Sequence, residues 1–325
     1  MTEPTSLRGA VRRILDAATP ESLGALHGSV VGRILQPAQY GGFAAGADEF
    51  VLVVGELAAV DGSLGWLTAM CNAAADEVAR LPAHAANEVW KSDPNALVAT
   101  SYHAEGVFAD DHRLTGRWTS VIGAEYANWL LLPATNGVAC RVLVPRGSAR
   151  IEPVDSQAGL PAAGVCDVTV SELAVDQRYI FTSRPERTAV VAGAGTAAAV
   201  VGSADGVWHK HVDQARTRLA TSYGGDEVTV EAAAQVAWAA SDIDAAKLQV
   251  TTSLQQPDDV AGAVLAHRQA VARARGAADR LLGSSRHALD ASDPVTRLWR
   301  DVHAGARLAV QHLDGLERSS QSLQL

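Results

Sequence analysis

The stretch Asp293-Pro-Val-Thr-Arg-Leu-Trp-Arg-Asp-Val-His-Ala-Gly-Ala-Arg-Leu308 decides how the chain is read. Asp293 before Pro294 is a good N-cap with proline at the first helical position. The segment from Pro294 to Ser319 then keeps helical period. Upstream, Ala189 to Ala220, Glu227 to Gln256 and Asp258 to Leu282 do the same, broken at Gly224-Gly225, Pro257 and Ser292-Asp293-Pro294. Each of these runs exceeds an average helix. Four long helices with short connections predict an antiparallel four-helix bundle over residues 183–325.

Residues 96–182 change period. Leu97-Val-Ala-Thr-Ser-Tyr102, Arg113-Leu-Thr-Gly-Arg-Trp118, Trp129-Leu-Leu-Leu132, Arg141-Val-Leu-Val144 and Val168 to Val175 are short strand-like runs bounded by Gly, Asn, Asp and Pro. They predict a small barrel or sandwich. Residues 1–95 are helical again: Ser6 to Ala18, then Asp48 to Val60 after the turn Tyr40-Gly41-Gly42, then Ala83 to Trp90, stopped near Ser92-Asp93-Pro94. The expected class is α+β, with an N-terminal helical domain, a central β-barrel or sandwich and a C-terminal four-helix bundle.

Composition narrows the function. With 325 residues, 48% hydrophobic and 19% charged, the chain has enough apolar material for one or two cores. A formal net charge of -9 without a basic run argues against a nucleic-acid partner. Cys71, Cys140 and Cys166 are widely spaced and odd in number, so neither a disulfide framework nor a metal site follows. Met1 to Arg8 carries no charged-then-apolar leader pattern. The longest apolar run, Ala189 to Val201, is too short and too broken for a membrane span. The expectation is a soluble cytoplasmic protein.

The order of these regions and several motifs resemble the acyl-CoA dehydrogenase superfamily. Val31-Gly-Arg-Ile-Leu-Gln-Pro-Ala-Gln-Tyr-Gly-Gly42 looks like its helix-to-turn segment, and Glu56 to Trp66 looks like the helix that follows. Thr100-Ser-Tyr-His-Ala-Glu-Gly106 and Gly116-Arg-Trp-Thr-Ser-Val-Ile-Gly123 lie where the family has flavin-contacting strands. Ala239 to Ala246 and the Trp299 to Gly305 helix are similar to the branch of secosteroid and hydroxyphenylacetate hydroxylases, which uses reduced flavin and oxygen.

The resemblance implies FMN or FAD as cofactor. A flat, mostly apolar ring needs a wall and a few donors at its polar edge. It implies Trp118 as the wall, with Thr119 and Ser120 beside it. Two residues apart on a strand, Trp118 and Ser120 are expected on one face. Ser101 and Tyr102 would bring hydroxyls to the flavin. Arg218 would bind its phosphates across a subunit contact, which suits a guanidinium fork. His103 and His303 are the candidates for proton transfer. Asp242 and Asp244 are expected to be structural, capping a helix or pairing with arginines on neighbouring helices. No metal site is expected.

The chain departs from the hydroxylase pattern in one direction. Ile122-Gly123 stands where a Ser-Gly pair is usual, Gly159 to Cys166 replaces a more polar run, and Leu308 stands where the branch carries its functional histidine. Three readings therefore stay open. One is an oxidoreductase that hydroxylates a bulky apolar or aromatic substrate, served by a flavin reductase. The second is a partner subunit that has lost its flavin site and supports a full-length paralogue. The third is an acyl-CoA dehydrogenase with an unusually placed base. A homo- or hetero-oligomer is expected in each case.

Overall fold

The computed structural model describes residues 6–17, 32–102, 106–109, 113–154, 159–182, 186–222, 228–283 and 290–321. His103 lies outside them.

Four helices come first: α1 (Leu7–Ala17), α2 (Ala47–Val60), α3 (Gly62–Arg80) and α4 (Ala83–Trp90). α3 starts where Asp61 caps it, accepting the Leu64 N–H at 3.1 Å. It buries every residue from Gly62 to Val78. Such a helix has no polar face, so its period is invisible in the hydropathy pattern.

Eight strands follow: β1 (Val98–Thr100), β2 (Gly106–Phe108), β3 (Arg113–Val121), β4 (Trp129–Asn136), β5 (Val138–Pro145), β6 (Arg150–Pro153), β7 (Cys166–Ala174) and β8 (Ile180–Phe181). They form one sheet in the order β6-β7-β3-β2-β4-β5-β8, with β1 added parallel to β4. The β4–β5 hairpin turns at Gly137, whose φ of +71° glycine adopts without strain. β3 and β7 run antiparallel, with a break in register between Trp118 and Val121.

The last four helices are α5 (Glu186–Thr221), α6 (Val230–Ser253), α7 (Val260–Gly283) and α8 (Pro294–Gln321). Asp293 caps α8 as its sequence suggests, accepting the Val295 and Thr296 N–H groups at 2.9 and 3.2 Å. α5 is the central helix, packed against α2, α3, α6, α7 and α8. Its small residues permit that. A Cβ on Gly202 would fall 2.4 Å from the Gly55 carbonyl oxygen, and one on Gly206 would fall 2.2 Å from that of Ala59. α5 is long and apolar enough to cross a membrane, but 94% of its apolar window is buried inside the protein. On the bundle surface Asp242 pairs with Arg273 and Arg280 of α7, while Asp244 lies 3.9 Å from Lys247 on its own helix.

The sheet is locked to the N-terminal helices by a buried ion pair. Arg141 of β5 meets Glu77 of α3 at 2.6 and 3.0 Å, and both side chains are buried. The same guanidinium donates to the carbonyls of Ser101 and Leu131 at 2.9 and 3.2 Å. With its charge and donors satisfied, the pair is costly to break from one side.

Candidate functional site

Three parts of the fold meet along one seam: α3, the end of β1, and α8. On α8, Gly305, Leu308, His312 and Leu316 follow at i+3 and i+4 steps and share a face. His312 is 5% exposed. Its ring lies 5.7 Å from that of Trp66 on α3, at an interplanar angle of 71°. On its other side Tyr102, which follows β1, lies 5.7 Å away at 85°. Both neighbours stand edge-to-face with the imidazole, the preferred arrangement for aromatic pairs.

The helix approaches this closely because of two glycines. A Cβ on Gly305 would fall 2.5 Å from Trp66 Nε1, and one on Gly315 would fall 2.5 Å from the Tyr102 carbonyl oxygen. Gly123, with φ +76°, lies against Leu67 of α3, where a Cβ would fall 2.9 Å from its Cδ1. Tyr102 is held from behind by the Arg141 guanidinium, 5.9 Å from its ring centroid.

Trp66 is 0% exposed, and its indole N–H meets no acceptor among the described residues. Four other buried or half-buried indoles differ. Trp90 donates to the Ala96 carbonyl at 3.1 Å, Trp118 to that of Pro133 at 2.9 Å, Trp208 to that of Val236 at 3.1 Å, and Trp299 to Asp279 Oδ1 at 2.8 Å. A buried donor without an acceptor costs about 1–3 kcal/mol. The Trp66 edge therefore marks a place where the fold withholds an acceptor.

Asp301 ties the seam together. It accepts the Leu160 N–H at 2.7 Å and the Gly62 N–H at the start of α3. Burial pushes its carboxyl up to about 7, with Asp61 nearby adding to the shift while the two N–H bonds and Arg297 oppose it. The segment 159–165 is thereby pinned over α8 and α3. A Cβ on Gly159 would fall 2.4 Å from the Arg300 carbonyl oxygen, and Ala162 N–H reaches Ser63 Oγ at 3.2 Å.

Residues 194–312 match the family model for the acyl-CoA dehydrogenase C-terminal domain. Over those helices the chain is similar to the acyl-CoA dehydrogenases, and its fold is theirs. The oxygenase subunit HsaA of a flavin-dependent monooxygenase from Rhodococcus jostii (strain RHA1) is 27% identical over 339 residues, covering 91% of this chain and 87% of that one. The crystal structure of 3-HSA hydroxylase from Rhodococcus sp. RHA1 superposes with a TM-score of 0.82 at 24% identity, covering 96% and 91% of the two chains. XiaF from Streptomyces sp., solved with FADH2 and glycerol, gives 0.80 at 22% identity, covering 98% and 92%.

Within this acyl-CoA dehydrogenase fold, the residues singled out from the sequence are scattered. Trp118 is 0% exposed in the core of the sheet, beside Leu114, Leu130 and Val168, and its N–H is bound. Its faces pack within the sheet core. The strand's alternation turns Trp118 inward. Ser120 does not share that face. Its φ of +54° and the break in register between Trp118 and Val121 turn the chain, and its N–H is bound to Asp167 Oδ1 at 3.0 Å. Thr119 is exposed and Ser120 half-buried. After the bulge it is Ile122 that enters the seam cluster with Tyr102, Leu160 and Trp66. An apolar side chain thus occupies the seam where the resemblance implies a hydroxyl.

Ser101 and Tyr102 are both buried at the seam. His303 is not there. Its Nε2 lies 2.7 Å from Asp279 Oδ1 on α7, and its ring rests on Trp299 at 4.2 Å. It sits in that cluster on the bundle, away from the seam. Arg218 lies near the end of α5 and lines an open cleft with Lys210, Asp213, Thr217, Asp290 and Asp293. His312 and the Trp66 edge escaped the sequence reading. Helical spacing from Leu308 was the available signal, since His312 is one turn further on the same face.

Proposed function

We propose that this chain is the oxygenase component of a two-component flavin-dependent monooxygenase that hydroxylates a bulky apolar or aromatic substrate with reduced flavin and O2. The observation carrying this reading is the likeness to such an oxygenase subunit over 91% of the chain. The residues present fit FMN or FAD in part. Thr119 and Ser120 offer accessible polar groups at the end of β3, and Arg218 with Lys210 offers cations to a phosphate from the cleft on α5. Trp118 packs within the sheet core. The flavin, when bound, supplies the electrons that activate oxygen. The protein's part is to hold the substrate in the dry seam beside Trp66, Tyr102 and His312 and to fix its orientation.

A flavin reductase is the partner this chemistry requires, because the chain needs a source of reduced flavin. The cysteines Cys71, Cys140 and Cys166 are buried and unbridged, in keeping with a reducing cytoplasm. Arg218, exposed at the end of the bundle, suits a site completed by a second copy, and a homo-oligomer is expected in sedimentation.

One observation favours a second reading, the non-catalytic partner subunit. Ile122 and Leu308 fill the seam with apolar side chains where the resemblance implies polar ones. Titration with oxidised and reduced FMN and FAD, followed by turnover with a flavin reductase and a panel of phenols, separates the two. Micromolar flavin binding with hydroxylated product supports the oxygenase. Absence of flavin binding at any redox state supports the partner subunit.

A further inference from the structure

We propose that the groove between α2, α5 and α6 binds a small cationic amphiphile, with Asp205 receiving its ammonium head and Val51, Val201 and Val250 its apolar body. This site is separate from the seam. Val200 of α5 faces Gly305 of α8, whereas Ala198, Gly202 and Asp205, on the far side of the same helix, line the groove.

The groove exists because its walls diverge. α5 packs closely on both α2 and α6, but those two helices barely meet. Between them the surface of α5 from Ala198 to Asp205 lies open, a run of about 10 Å at the helical rise. Val51, Val201 and Val250 are buried and form its bed, while Leu52 stands exposed on the rim. An apolar slot of that length suits a medium alkyl chain or a single ring.

Gly55 keeps the slot open. It lies inside α2, where glycine is unfavourable relative to alanine. The close approach of α2 and α5 does not call for it. That approach depends on Gly202, whose Cβ would fall 2.4 Å from the Gly55 carbonyl oxygen, whereas a Cβ on Gly55 itself would meet nothing within 4 Å. A bare helix position that packing does not require, opening on a cleft, marks a surface shaped for a guest.

The polar end selects the charge of that guest. Asp205 Oδ1 takes Lys247 Nζ at 2.9 Å, while His209 Nε2 stands 3.8 Å from Oδ2, beyond hydrogen-bond length. Oδ2 is the acceptor for an incoming N–H. Nearby, Arg8 of α1 lies 2.7 Å from Glu56 and 3.7 Å from Glu49, and Asp244 lies 3.9 Å from Lys247. Among the described residues, His209 aside, the groove and its rim thus carry four carboxylates against two cations. That balance attracts an ammonium and repels a carboxylate.

The test uses the full chain and three probes with one tail: octylammonium, octanoate and 1-octanol, titrated at neutral pH and low salt. Octylammonium is expected to bind at least tenfold more tightly than octanoate, with octanol between them. Asp205→Asn is expected to bring octylammonium down to the level of octanol. Gly55→Leu fills the slot and is expected to weaken octylammonium at least tenfold without lowering the urea midpoint. Methyl-labelled NMR of wild type gives a readout independent of any variant's folding, since the octyl tail must contact the methyls of Val51, Val201 and Val250. Equal binding of octylammonium and octanoate overturns the proposal. So does unchanged affinity in Gly55→Leu, tail contacts elsewhere, or no binding by wild type. Sedimentation of the same samples tests the rival occupant: a shift to smaller species in Gly55→Leu, or on adding octylammonium, would assign the groove to a contact between copies of the chain and overturn the proposal as well.

Discussion

Trp118 and Trp66 are equally buried, and they do different things. Trp118 sits inside the sheet with apolar neighbours on its faces and the Pro133 carbonyl on its N–H. Every need of the indole is met by the chain, so it is part of the core. Trp66 sits where helices and sheet meet, against a helix thinned by glycine, with its N–H unmet. Burial alone does not separate a structural ring from a functional one. The state of the polar edge does.

Breaking the support of the seam should have the largest effect. Arg141→Met strands Glu77 as a buried charge and removes the cation behind Tyr102. A loss of about 3–5 kcal/mol is expected in urea unfolding, together with loss of flavin binding in whatever fraction stays folded. A change below about 1 kcal/mol would show that the pair is not needed to hold the seam.

The next largest effects lie on the pH axis, and they fall on opposite sides in the two regions. In the bundle, the folded-state pKa of His267 lies near 4, below its ordinary 6.5. The stability it contributes is complete above 6.5 and is lost as pH falls toward 4, on the order of 3 kcal/mol. In the seam, Asp301 is pushed from 3.8 up to about 7. Its contribution is complete below 3.8 and is lost as pH rises through about 7. Stability curves of His267→Leu should flatten on the acid side, and those of Asp301→Asn toward neutral pH. A His267→Leu curve as steep in acid as wild type would remove His267 from the account.

The smallest difference is the sharpest. Trp118→Phe leaves the Pro133 carbonyl buried without its donor and should cost about 1–3 kcal/mol. Trp66→Phe removes a donor that has no acceptor and should cost clearly less in the same urea experiment. Equal losses would mean that the two edges are equivalent after all.

How much of this was legible in the sequence follows from the same contrast. α2, α4 and α8 announce themselves because one face is polar or because caps and prolines mark their ends. α3 does not, since it is buried on all sides and leaves no period to read. β2, β6 and β8 are two to four residues long, too short to show alternation. For the site, Tyr102 and Ser101 were within reach as strand-end residues. Strand alternation turns Trp118 into the sheet core, while the bulge that takes Ser120 off its face is a backbone event with no sequence signature. The departure at Leu308 drew attention to a missing histidine, while His312, one turn on, was already present. Neither a satisfied nor an unsatisfied indole can be read from a string of letters, because the acceptor is supplied by distant chain.

The most direct test watches both indoles at once. In protein labelled with 15N-tryptophan, the Trp66 and Trp118 Nε1–H signals are assigned with the two Phe variants. The account predicts that the Trp118 proton, bound to the Pro133 carbonyl, lies downfield and that the Trp66 proton, without an acceptor, lies upfield of it. A Trp66 proton as far downfield as that of Trp118 would contradict it.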